Sequence, residues 1–212
     1  MFGKSARLHG LDDRFSTKAL VLIPIAVGIN IIGGTLCSML KLPLFLDTVG
    51  TLIVACLSTP FSAAITGLLT NIFLAFVANP VFLPYAVVSM LCGLVVGFLV
   101  RVGMFRNVYG AIFVWIACTL VNSISAALIT TFVFGGATGV NGTSLITAAF
   151  VVAMRDILLS VFSSSFLENL IDKGITVFIA YAVFKKLPRR LLTSYGPSLD
   201  SELLEDEVDR EL

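Results

Sequence analysis

Histidine occurs once in this 212-residue chain, at His9, and charged residues make up only 13% of it. With a single imidazole in the N-terminal tail, metal binding through histidines inside the apolar part of the chain is excluded. There is no G-x-x-x-x-G-K-[ST] loop to cradle phosphates, no H-E-x-x-H, and no Ser/His or Cys/His pairing to make a nucleophile. Enzymatic chemistry and ATP hydrolysis therefore have no residues to run on, and no cofactor of its own is called for. No basic patch interleaved with aromatics points to nucleic acid. Cys37, Cys56, Cys92 and Cys118 stand singly in apolar sequence without a C-x-x-C, which reads as buried packing.

What the chain has in quantity is apolar sequence: 58% of residues are hydrophobic and the mean hydropathy is +1.02, outside the soluble range. Between Leu42 and Val100 the only charged residue is Asp47. A helix needs about 20 apolar residues to cross a hydrocarbon core of about 30 Å. Runs of that kind, bounded by turn or charge signals, fall at 19–40, 48–57, 62–78, 84–100, 108–134 and 168–187. The second and third are separate spans only if Ser58-Thr59-Pro60 turns the chain. The first continues too far to be a signal-peptide core.

Charge supports six spans. Lys and Arg near span ends collect on the cytoplasmic side, and six crossings put Lys4, Arg7, Arg14, Lys18, Arg101, Arg106, Lys185, Lys186, Arg189, Arg190 and Arg210 together, eleven of the fourteen basic residues. The expected fold is an all-α polytopic membrane protein with six transmembrane helices and both termini cytoplasmic. Residues 1–17 form an N-terminal tail, 18–190 the membrane domain, and 191–212 an acidic cytoplasmic tail, frayed or disordered.

An outer connection at 135–166 opens with Gly135, Gly136, Gly139 and Gly142, whose backbone freedom suits a mobile loop. The segment from Ser144 carries Arg155-Asp156, too polar a pair to face lipid at mid-depth. It reads as a lid over a cavity or as a helix lying on the membrane surface.

An ionisable group inside a membrane costs about 3 kcal/mol or more unless it is paired or wetted, so each is a candidate for function. Helical spacing puts Glu168 and Asp172 on one stripe of the last span and Asn169 and Lys173 on the next. That stripe is a pocket wall or an ion-paired packing element. Asp47 suits the N-cap of the second span as well as a site. Asn30, Asn71 and Asn122 fall near the middles of three spans, where such residues serve as interhelical glue or contact a ligand. The turn 79–85 offers Phe82 and Tyr85 at a cavity mouth. Asp47, Asn71, Tyr85, Arg155, Glu168, Asn169, Asp172 and Lys173 are the candidate substrate-binding residues. Ala26, Asn30, Gly34 and Ser38 form a small-residue stripe on the first span that lets another helix approach closely, within the chain or from a partner subunit.

In this order and spacing, Ile23-Pro24-Ile25-Ala26 through Asn30 and Gly33-Gly34, then Leu46-Asp47-Thr48-Val49-Gly50-Thr51, Gly67-Leu68-Leu69-Thr70-Asn71 and Glu168-Asn169-Leu170-Ile171-Asp172-Lys173, resemble the substrate-binding S components of energy-coupling factor transporters, the bacterial vitamin importers. The resemblance covers residues 17–190. It implies a six-helix protein of the bacterial cytoplasmic membrane that binds a vitamin or precursor in an outward-facing pocket capped by the loops after the first, third and fifth helices. It also implies partners: a transmembrane T component and two cytoplasmic ATPases, which would hold the ATP and Mg. Family docking uses an A-x-x-x-A pattern on the first helix; here Ala26 is followed by Asn30. Similarity to lactobacillar members suggests cobalamin as the ligand, with Cys37 a conceivable sulfur ligand for its cobalt and a thiamin precursor, queuosine or another small vitamin as alternatives. The rival expectation is a stand-alone carrier in which Asp47, Glu168 and Asp172 bind a coupling ion.

Overall fold

The computed structural model describes residues 17–140 and 142–187; Lys4, Arg7, His9, Arg14 and the acidic tail lie outside them. Among the described residues the chain is helical and has no strand. Seven α-helices follow in order: α1 (Thr17–Met39), α2 (Val49–Leu57), α3 (Pro60–Val77), α4 (Ala86–Arg101), α5 (Val108–Phe132), α6 (Thr143–Met154) and α7 (Ile157–Lys186). Three contain stretches long and apolar enough to cross a membrane: Leu20–Met39, Pro60–Val77 and Val108–Phe132. Val21, Ile25, Ile29, Ile32 and Leu36 form an exposed apolar face on α1, and Phe73, Phe76 and Phe113 project outward elsewhere. An outer surface of this kind fits a lipid solvent.

The second expected span is α2, nine residues long. At 1.5 Å per residue it rises about 14 Å, well short of the hydrocarbon core. It ends where Ser58-Thr59-Pro60 turns the chain: the Thr59 side chain accepts from the Ser62 amide (3.1 Å) and Pro60 opens α3. Such a cap satisfies an orphan amide at a position where proline has no amide to lose.

Small residues bring the backbones together. A side chain on Gly50 would run into the Ala26 carbonyl of α1, and one on Gly93 into the Ala63 backbone of α3. α3 packs most extensively on α4, and α5 on α7. At one end lies an apolar core that includes Leu52, Val54, Val96, Phe105, Val114 and Val177. Phe105 stands edge-on to Tyr181, and Lys185 donates to the Arg106 carbonyl (2.8 Å), so the α4–α5 turn and the end of α7 share that end.

Two expectations are corrected. The last helix begins at Ile157 rather than at Glu168, so 157–166 belongs to α7 and not to the outer connection. Asp156, not Glu168, starts it, accepting from the Leu159 amide (2.9 Å), and the buried series Ser160, Ser164, Glu168, Asp172, Thr176 runs unbroken along one face. The small-residue stripe of α1 is also not a free face. Ala26 and Asn30 are buried, and a side chain on Gly34 would meet Leu74 at 3.0 Å and Asp47 at 3.3 Å. The close approach the stripe permits is made to α2 and α3 of the same chain, which does not suit Ala26, Asn30 and Gly34 to docking a partner; Ser38 is half-buried on the same helix.

Candidate functional site

The α1–α2 connection is held open in an unusual backbone path. α1 closes with the Lys41 amide on the Ser38 carbonyl (3.2 Å) and the Leu42 amide on the Cys37 carbonyl (3.0 Å), a Schellman ending with Lys41 rather than glycine in the left-handed region. Leu46 also has positive φ (48°), a conformation that costs a branched side chain about 1–3 kcal/mol. Asp172 of α7 offsets that cost: its Oδ1 accepts from both the Phe45 amide (2.9 Å) and the Leu46 amide (2.8 Å).

Its Oδ2 accepts from Lys173 Nζ (2.7 Å), which also donates to Thr48 Oγ1 (3.0 Å) and lies 3.9 Å from Asp47 Oδ1. Asp172 and Lys173 are 0% and 2% exposed. A buried ion pair of this kind repays its desolvation only when the remaining donors and acceptors are also bonded, and here they are. Asp47 is not the cap of α2: Thr48 occupies that position without a side-chain cap bond. Asp47 instead turns toward Lys173 and the cavity above it.

The space not filled by protein atoms in that cavity, open mouth included, is about 790 Å³. It sits at the end of the bundle opposite the apolar core. The loops after α1, α3 and α5 all reach it, through Phe45, Phe82 and Val140 respectively. Its polar wall is built from side chains that mostly bond to each other. Asn71 of α3 donates to Ser89 Oγ of α4 (2.6 Å). Tyr85 is bonded to Thr130 of α5 (2.6 Å) and stacks on Phe134 with ring centroids 5.9 Å apart. Asn169 donates to the Ser165 carbonyl (2.8 Å).

Two acceptors on this wall have no such partner. Asn71 Oδ1 and Glu168 Oε1 are buried and unbonded among the described residues. Glu168 is 5% exposed. It lies one turn from Asp172 on the same face of α7, and Lys173, the one basic side chain among the described lining residues, is engaged below it.

The roof is α6 with the loop before it. Gly135, Gly136 and Gly139 take φ of 68°, 109° and 70°, values that glycine alone adopts without strain. Lys41 Nζ donates to the Val140 carbonyl (2.8 Å), tying this loop to the one after α1. Thr147 of α6 is bonded to Ser164 of α7 (2.8 Å). The inner side of α6 brings Thr143, Ser144 and Thr147 to the cavity while Leu145 and Val152 face outward. α6 thus covers the cavity on that side.

Six of the eight expected binding residues, Asp47, Asn71, Tyr85, Glu168, Asn169 and Lys173, line the one cavity, and Asp172 supports it from behind. Arg155 does not: it is exposed at the α6–α7 turn in the left-handed region. Its local chemistry, a charged residue between two apolar segments, marks a turn and not a wall. Asn30 is glue, donating to Thr51 (2.9 Å) and Thr70 (3.0 Å) and accepting from the Gly50 amide (2.6 Å). Asn122 bonds within α5 and also lines the cavity. Phe45, Ser89, Thr130, Thr147 and Ser165 were not singled out from sequence; hydroxyls in apolar helices are too common to mark a site. Cys37 is buried and is not among the lining residues. Among the described residues, no group of three or more His, Cys, Asp or Glu is disposed to hold a metal ion.

Comparison of the chain with family models, curated proteins and solved structures finds no match.

Proposed function

We propose that this chain is the substrate-binding S component of an energy-coupling factor importer: it captures a vitamin or precursor from outside the cell and releases it inside after docking on a T component driven by two ATPases, which supply the ATP and Mg chemistry. In this reading α1 to α5 and α7 are the six membrane helices, both termini are cytoplasmic, and α6 is an outer lid. The observation that carries it is the lidded cavity, roofed by the loops after α1, α3 and α5 and walled by Asp47, Asn71, Glu168 and Asn169. The shared end of Arg106 and Lys185 supports the topology, since both then lie on the cytoplasmic side. A docking surface on the Ala26 stripe is not part of the proposal.

Even with its mouth included, the cavity is smaller than cobalamin, which would enter only with α6 displaced. Uptake of a labelled vitamin panel, cobalamin included, into proteoliposomes with and without an energy-coupling module and internal ATP tests the reading. Uptake of one compound that needs both module and ATP supports it.

A second reading is favoured by Asp47, Glu168 and Asp172, three carboxyl groups lining or backing one cavity: an ion-coupled carrier in which a carboxylate takes the coupling proton. Uptake driven by an imposed ion gradient, without the module, would replace the first reading with this one.

A further inference from the structure

We infer that the occupant of the cavity is a compact, flat organic cation that presents N–H donors along one edge. This rests on the reading of the cavity as the ligand site, though not on how transport is driven. Acidic groups around it outnumber basic ones. Asp47, Glu168 and Asp172 are three acidic groups against Lys173, and the Lys173 ammonium is already held by Asp172 at 2.7 Å and Thr48 at 3.0 Å.

Glu168 is thus left without a basic partner among the described lining residues, and its Oε1 is buried and unbonded. Asn71 Oδ1 is the second buried, unbonded atom on the wall, and it too is an acceptor. The donor side of the Asn71 amide is spent on Ser89 (2.6 Å), so the amide does not turn its donors to the ligand. An anion would face two bare acceptors and no free basic group among the described lining residues. A neutral acceptor would leave both oxygens buried and unpaired, the costliest outcome for a polar group. A cation with N–H groups satisfies both at once.

The walls set the rest of the shape. Phe45, Phe82 and Tyr85 line the cavity, and aromatic rings suit a flat, positively charged partner.

Benzamidine, benzamide and benzoate share one outline and carry charges of opposite sign or none, so they isolate this preference. Isothermal titration calorimetry on the full-length protein in phosphatidylcholine nanodiscs should show benzamidine binding at least about tenfold more tightly than benzamide, with benzoate weakest and a dissociation constant for the cation of about a millimolar or lower. Glu168→Gln should collapse the preference of cation over amide, and Glu168→Asp should retain part of it. The inference is overturned if benzoate binds as well as benzamidine, if the preference survives Glu168→Gln, or if none of the three binds at about 10 mM. The assay contains no partner subunits. Preserved cation preference together with uptake that ignores the ATPase module would therefore sink the importer reading and leave this inference standing.

Discussion

Two turns of α7, four residues apart, carry carboxylates in opposite circumstances. At Asp172 both oxygens are bonded, to two backbone amides of the α1–α2 loop and to Lys173. At Glu168 one buried oxygen has no described partner and the residue faces the cavity. The same helix face thus welds the loop in place at one level and offers an unfilled acceptor at the next. Similar residue types at helical spacing do different jobs because of what the neighbouring loop brings to each.

Asp172→Ala should have the largest effect on the folded protein. It leaves Lys173 buried without its closest counter-charge and orphans the Phe45 and Leu46 amides, a loss of about 3–5 kcal/mol. Thermal melting of the detergent-solubilised protein should show a collapse, and an unchanged midpoint would mean that Asp172 is not the weld. Next is Gly50→Leu, which forces α2 away from the Ala26 carbonyl of α1 at a cost of about 1–3 kcal/mol. Asn30→Ala removes the bonds to Thr51, Thr70 and the Gly50 amide and should cost about 1–2 kcal/mol by the same assay.

Glu168→Gln should leave the midpoint where it is or raise it, because a buried carboxyl with an unbonded oxygen is replaced by a neutral amide of the same shape. Its effect should appear in ligand binding. If it melts as early as Asp172→Ala, the contrast between the two turns is false. Arg155→Ala, on an exposed turn, should stay within about 0.5 kcal/mol of wild type and leave uptake untouched.

Much of the site was legible because burying polarity among apolar helices is costly. Asp47, Asn71, Glu168, Asn169 and Lys173 stood out against their surroundings, and the structure brings all five to one cavity. Arg155 obeyed the same rule of rarity and failed, since a charged residue at a turn has water or headgroups to face. The start of α7 was misread because the charge pattern allowed one more crossing after residue 134, which left 157–166 in the outer connection; as an extension of α7 that stretch adds no crossing, and its Ser160, Ser164 and Ser165 are buried. The α1 stripe showed that something approaches closely. It did not say that α2 and α3 are what approaches.

By itself the sequence determined the helical class, the apolar surface, the turn at Ser58-Thr59-Pro60 and the short set of polar residues worth attention. These follow from local rules: the transfer cost of each side chain, the missing amide of proline and the 3.6-residue period. Only the tertiary structure decided that Lys173 is consumed by Asp172 while Glu168 is not, that Asn30 is glue, and that α6 roofs the cavity. Those outcomes depend on which groups from distant segments come within bonding distance, such as the Phe45 and Leu46 amides, more than 120 residues from Asp172 in the chain. No local pattern in the sequence encodes that distance.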